Sequence, residues 1–347
     1  MSPDKVINAI EEFAPRYLQE SWDNTGLQVG FPEGADCTGV LLCVDVTEDI
    51  IAEAAERGCN LVVSHHPLIF KGLKSLTGRT IAERAVLAAV RSGVAVYSSH
   101  TALDSTRGGV SYVLASELGA EVVRALAPAE IRRYSVNVIC PREFSATVRA
   151  ILAGEQAEVP QPAPLTNPLE HRALTSEQAV VSSQQLAQCT AALDALGSNV
   201  SYTATPVESN NTALGLGVVA EFPEAISPAA FLARVKEVCG TPAVRCNLAF
   251  GQMMSDDSPA IRRIALCGGS GGEFIGAARA AGADVYVTAD VRYHDFADNR
   301  TGMAILDVGH FESEKCAKHI FHHVLTKKFP NFAVYYSKIE QNPVQYL

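Results

Sequence analysis

Three short aliphatic runs, far apart along the chain, each end in a group able to bind a metal. Ser64-His65-His66-Pro67 closes Leu61-Val62-Val63, and Ser99-His100-Thr101-Ala102-Leu103-Asp104 follows Val94 to Tyr97. Gly309-His310-Phe311-Glu312-Ser313-Glu314 follows Met303 to Val308. Runs this short read as buried strands, and segments of helical period lie between them. That alternation restricts the chain to an α/β fold, a mostly parallel sheet with helices outside. Ligands of such sheets bind beyond the carboxyl ends of the strands, where these histidines and carboxylates fall.

The first flank predicts a helix over 3–17, a strand from Gly39 to Val46 and a helix through Ala55. Thr47 is suited to cap that helix, with Glu48 and Asp49 in its favoured first turn. A strand at Leu61-Val62-Val63, a helix over 80–91, a strand from Val94 to Tyr97 and a helix from Gly108 to Leu118 follow. In the middle, a strand from Tyr134 to Ile139 and helices over 145–152 and 184–195 are expected. Pro160-Gln161-Pro162-Ala163-Pro164 breaks regular structure, and Asn210-Asn211 marks a turn.

The rhythm then resumes. Leu214 to Val219 precedes a helix over 227–238, and Ile261 to Leu266 runs into Cys267-Gly268-Gly269-Ser270-Gly271-Gly272 and a helix through Ala281. A strand at Val285-Tyr286-Val287, a helix over 313–326 and a strand from Asn331 to Tyr336 complete the chain. The expected organisation is two similar α/β lobes, 1–130 and 211–347, around a metal cleft, with a smaller α+β domain inserted over 131–210.

The formal net charge of −10 disfavours nucleic acid and anionic membrane as partners. A small anionic substrate stays open, because bound metal ions dominate the field of a cleft. The sequence has neither a basic leader followed by an apolar stretch nor an apolar run of about 18 residues, so the cytoplasm is the expected location. The nine cysteines are scattered, with no C-x-x-C pair. They read as free thiols buried in a reducing compartment rather than as a zinc site.

His65 and His66 are adjacent, so on a regular strand they would face opposite ways. Both serve one cluster only where the strand yields to a loop, which Pro67 favours. His310 and Glu314, four residues apart, share one side of a helical turn; ordinary capping and a salt bridge are the plainer reading of that pair. Asp104 adds a second carboxylate. His65, His66, Asp104, His310 and Glu314 together could hold two metals about 3.5–4 Å apart, with Glu314 and Asp104 bridging or sharing them. Zinc, iron and manganese all suit imidazole with carboxylate. Asp45, His100, Asp290, Tyr293 and His294 are candidates to support the ligands, and His100 and His294 also to transfer protons. The glycine run has two readings: amides cradling a phosphate at a helix terminus, or tight strand-to-helix packing. It lacks the Gly-Lys-Ser/Thr end of a P-loop.

In this combination the chain resembles the dinuclear-metal proteins named GTP cyclohydrolase 1 type 2 homologues. The matching segments are Trp22 to Gly30, Ser64 to Phe70, Ser99-His100-Thr101 with Asp104 and Gly108-Gly109, Cys267 to Gly271, Thr288 with Asp290, Tyr293-His294, and Gly309-His310 with Glu314. The resemblance implies that His65, His66, Asp104, His310 and Glu314 bind two divalent metal ions between the lobes. It implies a homohexamer built from trimers, its sites facing the interior. It also implies that 131–210 is an insertion like the trimeric signalling and copper-tolerance proteins. Ala102 and Ala289 depart from the residues frequent in the family, Asn and Gly; the metal ligands do not. The expected function is a metal-dependent hydrolase of a small nucleotide-like or phosphorylated compound. Guanine ring opening and phosphoester hydrolysis both need activated water, and a metal-delivery protein or an oligomeric interaction protein without turnover is the alternative.

Overall fold

The aliphatic runs form the strands. In chain order these are β1 (Gly26–Val29), β2 (Val40–Cys43), β3 (Leu61–Ser64), β4 (Ala95–Ser98), β5 (Glu121–Pro128), β6 (Arg133–Pro141), β7 (Leu174–Ser182), β8 (Ser201–Val207), β9 (Gly215–Ile226), β10 (Arg245–Cys246), β11 (Ile261–Ser270), β12 (Val285–Ala289), β13 (Ala304–Asp307) and β14 (Val334–Tyr336). The computed structural model describes residues 1–129, 133–154, 173–207, 212–256 and 260–347. The proline break at 160–164 and the turn at Asn210-Asn211 lie outside the described residues. The chain divides into two units, Met1–Ala129 with Thr212–Leu347, and Glu130–Asn211.

The first unit is an α/β fold with two mixed sheets. One has the order β1-β4-β3-β2-β14, and the other β10-β13-β12-β11-β9-β5. β14, β2, β3 and β4 run parallel, as do β11, β12 and β13. Every residue of β2, β3 and β4 is buried, as expected of parallel strands covered on both faces. Alternate residues separate cleanly. Leu41, Cys43, Val62 and Val96 pack with Ile50, Ile51, Ala85 and Ala89 from helices Glu48–Glu56 and Ile81–Ser92. Val40, Leu42, Leu61, Val63 and Tyr97 join a core that also takes Val218, Ile264, Val285 and Leu306 from the other sheet. Thr47 caps the first of these helices by accepting from Ile50 N; Thr80 caps the second and Gly93 ends it in the left-handed region.

The Glu130–Asn211 unit has its own three-stranded antiparallel sheet, β7-β6-β8. Its core collects Val136, Val138, Val148 and Leu193 from the strands and from helices Ser145–Ala153 and Ser183–Asp194, with Phe144 from the 3-10 turn Arg142–Phe144.

Several boundaries differ from the sequence reading. The first helix ends at Phe13, because Pro15 disfavours helical geometry at Ala14. β11 continues through Cys267, Gly268 and Gly269 to Ser270, so most of the glycine run is strand rather than a loop opening a helix. The late helix is two, His310–Glu314 and Ala317–Lys328. Helices Thr101–Ser105 and Leu248–Asp256, and strand β5, were not anticipated. β5 pairs with β9 and β14 with β2, so each sheet borrows one strand from the other's stretch of chain. All nine cysteines are free; eight are buried and Cys246 is exposed. Among the described residues, no helix is long and apolar enough to cross a membrane.

Candidate metal centre

The parallel strands of both sheets end at one place. His65 and His66 follow β3 directly, and their amides continue the ladder to the carbonyls of Cys43 and Val44. His100 follows β4 and opens helix Thr101–Ser105, which carries Asp104. Past β13, Gly309 at φ +92° turns the chain into helix His310–Glu314. Asp45 lies beyond β2. Asp290, the single described non-glycine residue with positive φ (53°), lies beyond β12.

Each of four imidazoles is fixed through Nδ1 and turns Nε2 inward. His66 Nδ1 donates to Asp45 at 2.8 Å, His100 Nδ1 to Asp23 at 2.8 Å and His310 Nδ1 to Asp290 at 2.7 Å. His65 Nδ1 lies 3.2 Å from the Ser99 carbonyl. Carboxylates and carbonyls only accept, so the proton sits on Nδ1 and Nε2 is left for another partner. Carboxylate-held histidines of this kind are the usual support of metal ligands.

Glu314 stands at the centre with its two oxygens divided. Oε2 lies 2.8 Å from His66 Nε2 and 3.0 Å from His310 Nε2. Oε1 lies 3.6 Å from His65 Nε2, which is 3.6 Å from Asp104 Oδ1. Among the described residues, three groups of donors each fall within 4.8 Å of one another: His65, Asp104 and Glu314; His66, His310 and Glu314; His65, His66 and His100.

The donors fit a cation better than they fit one another. His65 Nε2 and Asp104 Oδ1 are buried with no hydrogen-bond partner, a costly state for polar atoms. Their 3.6 Å separation is too long for a hydrogen bond, but near the roughly 3.4 Å expected between two ligands 2.1 Å from a tetrahedral ion. His66 Nε2 and His310 Nε2 face each other at 3.3 Å while both point to Glu314.

Titration follows the same geometry. Burial opposes charge on His66, yet its bonds to Asp45 and Glu314 win and push it up to about 10. Burial likewise opposes charge on His310, and Glu314 with Asp290 pushes it up to about 9. Burial lifts Asp104 to about 7. Burial would lift Glu314 too, but the surrounding histidines hold it well below the usual carboxylate range. Against the same resistance from burial, His66 holds Asp45 low, and His100 with Thr101 holds Asp23 low. Without an ion, protons on histidine supply the positive charge that a divalent cation would supply.

The five residues expected as ligands converge, together with His100. His294 does not join them: it is exposed on helix Tyr293–Asp298, edge-on to Tyr293. Asp23 and the Ser99 carbonyl were missed as supports. Two amides of the glycine run are committed to packing. Gly268 N donates to Ser111 Oγ and Gly269 N to Ser313 Oγ, so these amides are not free to cradle a phosphate.

Fold and site define an α/β protein with mixed sheets and a clustered histidine–carboxylate metal-binding site. The chain belongs to the Duf34/NIF3 (NGG1p interacting factor 3) family, whose model matches residues 1–343. It is 29% identical to a GTP cyclohydrolase 1 type 2 homolog of Bacillus subtilis, over 99% of this chain and 98% of that protein. It is 30% identical to NIF3-like protein 1 of Rattus norvegicus, over 89% and 83% of the two chains. In structure it is similar to a Bacillus cereus protein related to NIF3, with a TM-score of 0.75 and 25% identity over 100% and 99% of the two chains.

Proposed function

We propose that the site is a dinuclear metal centre and that the protein is a metal-dependent hydrolase of a small nucleotide-like or phosphorylated compound. The observation that carries the reading is the divided carboxylate of Glu314, Oε1 toward His65 and Asp104, Oε2 toward His66 and His310. His65, Asp104 and Oε1 would hold one ion, and His66, His310 and Oε2 the other. Two such ions, when bound, lower the pKa of water and polarise a phosphoryl or carbonyl oxygen. The protein's own residues supply orientation. Asp45, Asp290 and the Ser99 carbonyl keep the Nδ1 protons of His66, His310 and His65 in place. His100, fixed by Asp23, can exchange a proton at Nε2 beside the donors.

The reading includes an interior-facing homohexameric ring, checked by native mass, and a cytoplasmic location, checked by fractionation. It also makes the β6–β8 unit an insertion like the trimeric signalling and copper-tolerance proteins, a relation its three-stranded antiparallel sheet with two helices supports.

The test is elemental analysis of protein purified without a metal-binding tag, alongside His65→Ala and Glu314→Ala. About two ions per chain, lost in both variants, together with turnover of a nucleotide or phosphoester that chelation abolishes, is the expected result. Turnover that survives demetallation sinks the mechanism. Two ions without turnover across the panel would assign metal storage or delivery instead.

A further inference from the structure

Trp22 is the only tryptophan of the chain, and it is 56% exposed; Phe70 is 48% exposed. The two rings stand edge-on with centroids 5.9 Å apart. Both meet His100, at 6.0 Å and 6.4 Å. His100 in turn lies 5.4 Å from His65 and 5.5 Å from His66. A strip of aromatic surface therefore runs from solvent to the donor cluster.

The strip is held in place. Asp23, next to Trp22, has a fully buried side chain that binds His100 Nδ1 and the Thr101 amide and hydroxyl. Asn24 Nδ2 donates to the Ile69 carbonyl at 2.7 Å, and Ile69 N donates to Gln28 Oε1 at 3.1 Å. These bonds tie the segment carrying Trp22 to the loop carrying Phe70. Leaving two large rings half in water forgoes roughly 25 cal/mol for each Å² of apolar surface. A fixed, exposed π face recognises another planar ring, and its continuity with His100 says which ring: one belonging to the molecule that reaches the metal donors.

We propose that Trp22 and Phe70 form a stacking subsite for a planar aromatic ring of the substrate, whose anionic group reaches the metal centre. The proposal rests on the reading of the site as a metal centre for phosphorylated compounds and adds the ring. Trp22 stacks the ring, Phe70 fixes the indole, and His100 separates the ring from the donors.

As the only tryptophan, Trp22 reports on its own subsite. Zinc-reconstituted full-length protein is titrated with adenosine monophosphate, with ribose 5-phosphate as the ring-less control. The expected result is indole quenching by the nucleotide and not by the sugar phosphate. Calorimetry should find adenosine monophosphate about tenfold weaker in Trp22→Ala, ribose 5-phosphate unchanged, and most affinity restored in Trp22→Phe. Three results overturn the subsite: no quenching; both ligands weakened alike in Trp22→Ala; or an altered native mass with the nucleotide's advantage intact, which would place Trp22 in a subunit contact. Elemental analysis of the same samples separates the two readings. Quenching on protein that takes up no metal keeps the subsite and sinks the hydrolase; metal-loaded protein without quenching sinks the subsite alone.

Discussion

Gly269 contributes to the centre by having no side chain. Its φ is +64°, and a Cβ there would lie 2.0 Å from Glu314 Oε1 and 3.4 Å from His310 Nε2. A Cβ on Gly268 would come within 2.6 Å of Val110, and one on Gly271 within 2.3 Å of Thr288 Oγ1. Gly269 is glycine because helix His310–Glu314 leans directly on β11, while Gly268 makes room for Val110 and Gly271 for Thr288 and Tyr286 of β12. Gly269→Ala should therefore displace the divided carboxylate, lower metal content and cost more than about 1 kcal/mol of stability. Gly276→Ala is the control: it meets open space in helix Ile275–Ala280 and should gain about 0.5–1 kcal/mol. Unchanged metal content in Gly269→Ala would contradict the packing account. At this scale the sequence disclosed the donors and two of their supports, Asp45 and Asp290, but not Asp23 or the Ser99 carbonyl. His65-His66 and His310 with Glu314 stand out by type and spacing. Asp23 reaches His100 across 77 residues, and no local pattern marks such a partner. The glycine run was visible, but whether its amides face a ligand or a neighbouring helix depends on what folds against it.

The segment after β14 secures the elements on either side of the centre. Glu53, on helix Glu48–Glu56, accepts from Ser337 Oγ, Lys338 N and Arg57 Nη1. Glu340 accepts from Val44 N at 2.5 Å and Asp45 N at 3.2 Å, and pairs with Lys318. Asp45 then holds His66. Burial would raise the Glu53 carboxyl, but these hydrogen bonds outweigh it and hold it below its ordinary value. A lowered folded pKa contributes stability fully present above the unfolded value, about 4.3, and lost as pH falls through the folded value. Glu53→Gln should then cost about 1–2 kcal/mol at neutral pH and much less near pH 3. Urea unfolding of both proteins at the two pH values is the check; an equal cost at both would refute the charge-based account. Elements with a complete signature were legible, such as the helix that Thr47 caps. Thr101–Ser105 is too short for a period. β5 has the burial pattern of a half-exposed strand, with Glu121 and Arg124 among its residues, and its Ala-Leu-Ala stretch suits a helix equally well. Its identity comes from pairing with β9, a neighbour distant in sequence.

At the scale of the whole molecule, the chain leaves and re-enters the first unit at nearly one point. β5 and β9 are antiparallel neighbours, Pro128 faces Gly215, and Ala129 N donates to the Leu214 carbonyl at 2.9 Å. Such a junction tolerates an insertion because it needs only a turn to close it. The cores agree. Among the described residues, the three clusters of the first unit draw none from 130–211, and the remaining cluster draws only from that stretch. Every donor of the candidate centre among the described residues lies outside it as well. Replacing Glu130–Asn211 by a short flexible loop should therefore leave a folded protein with the metal content of the full chain. Its thermal midpoint should shift by only a few degrees, the effect of about 1 kcal/mol in a protein of this size. Metal analysis and calorimetry of the shortened chain give the answer directly. Loss of cooperative unfolding, or of bound metal, would mean that the centre depends on the inserted unit despite separate cores. Retention of both would locate the metal chemistry in the two mixed sheets and leave the insertion free to serve assembly or access.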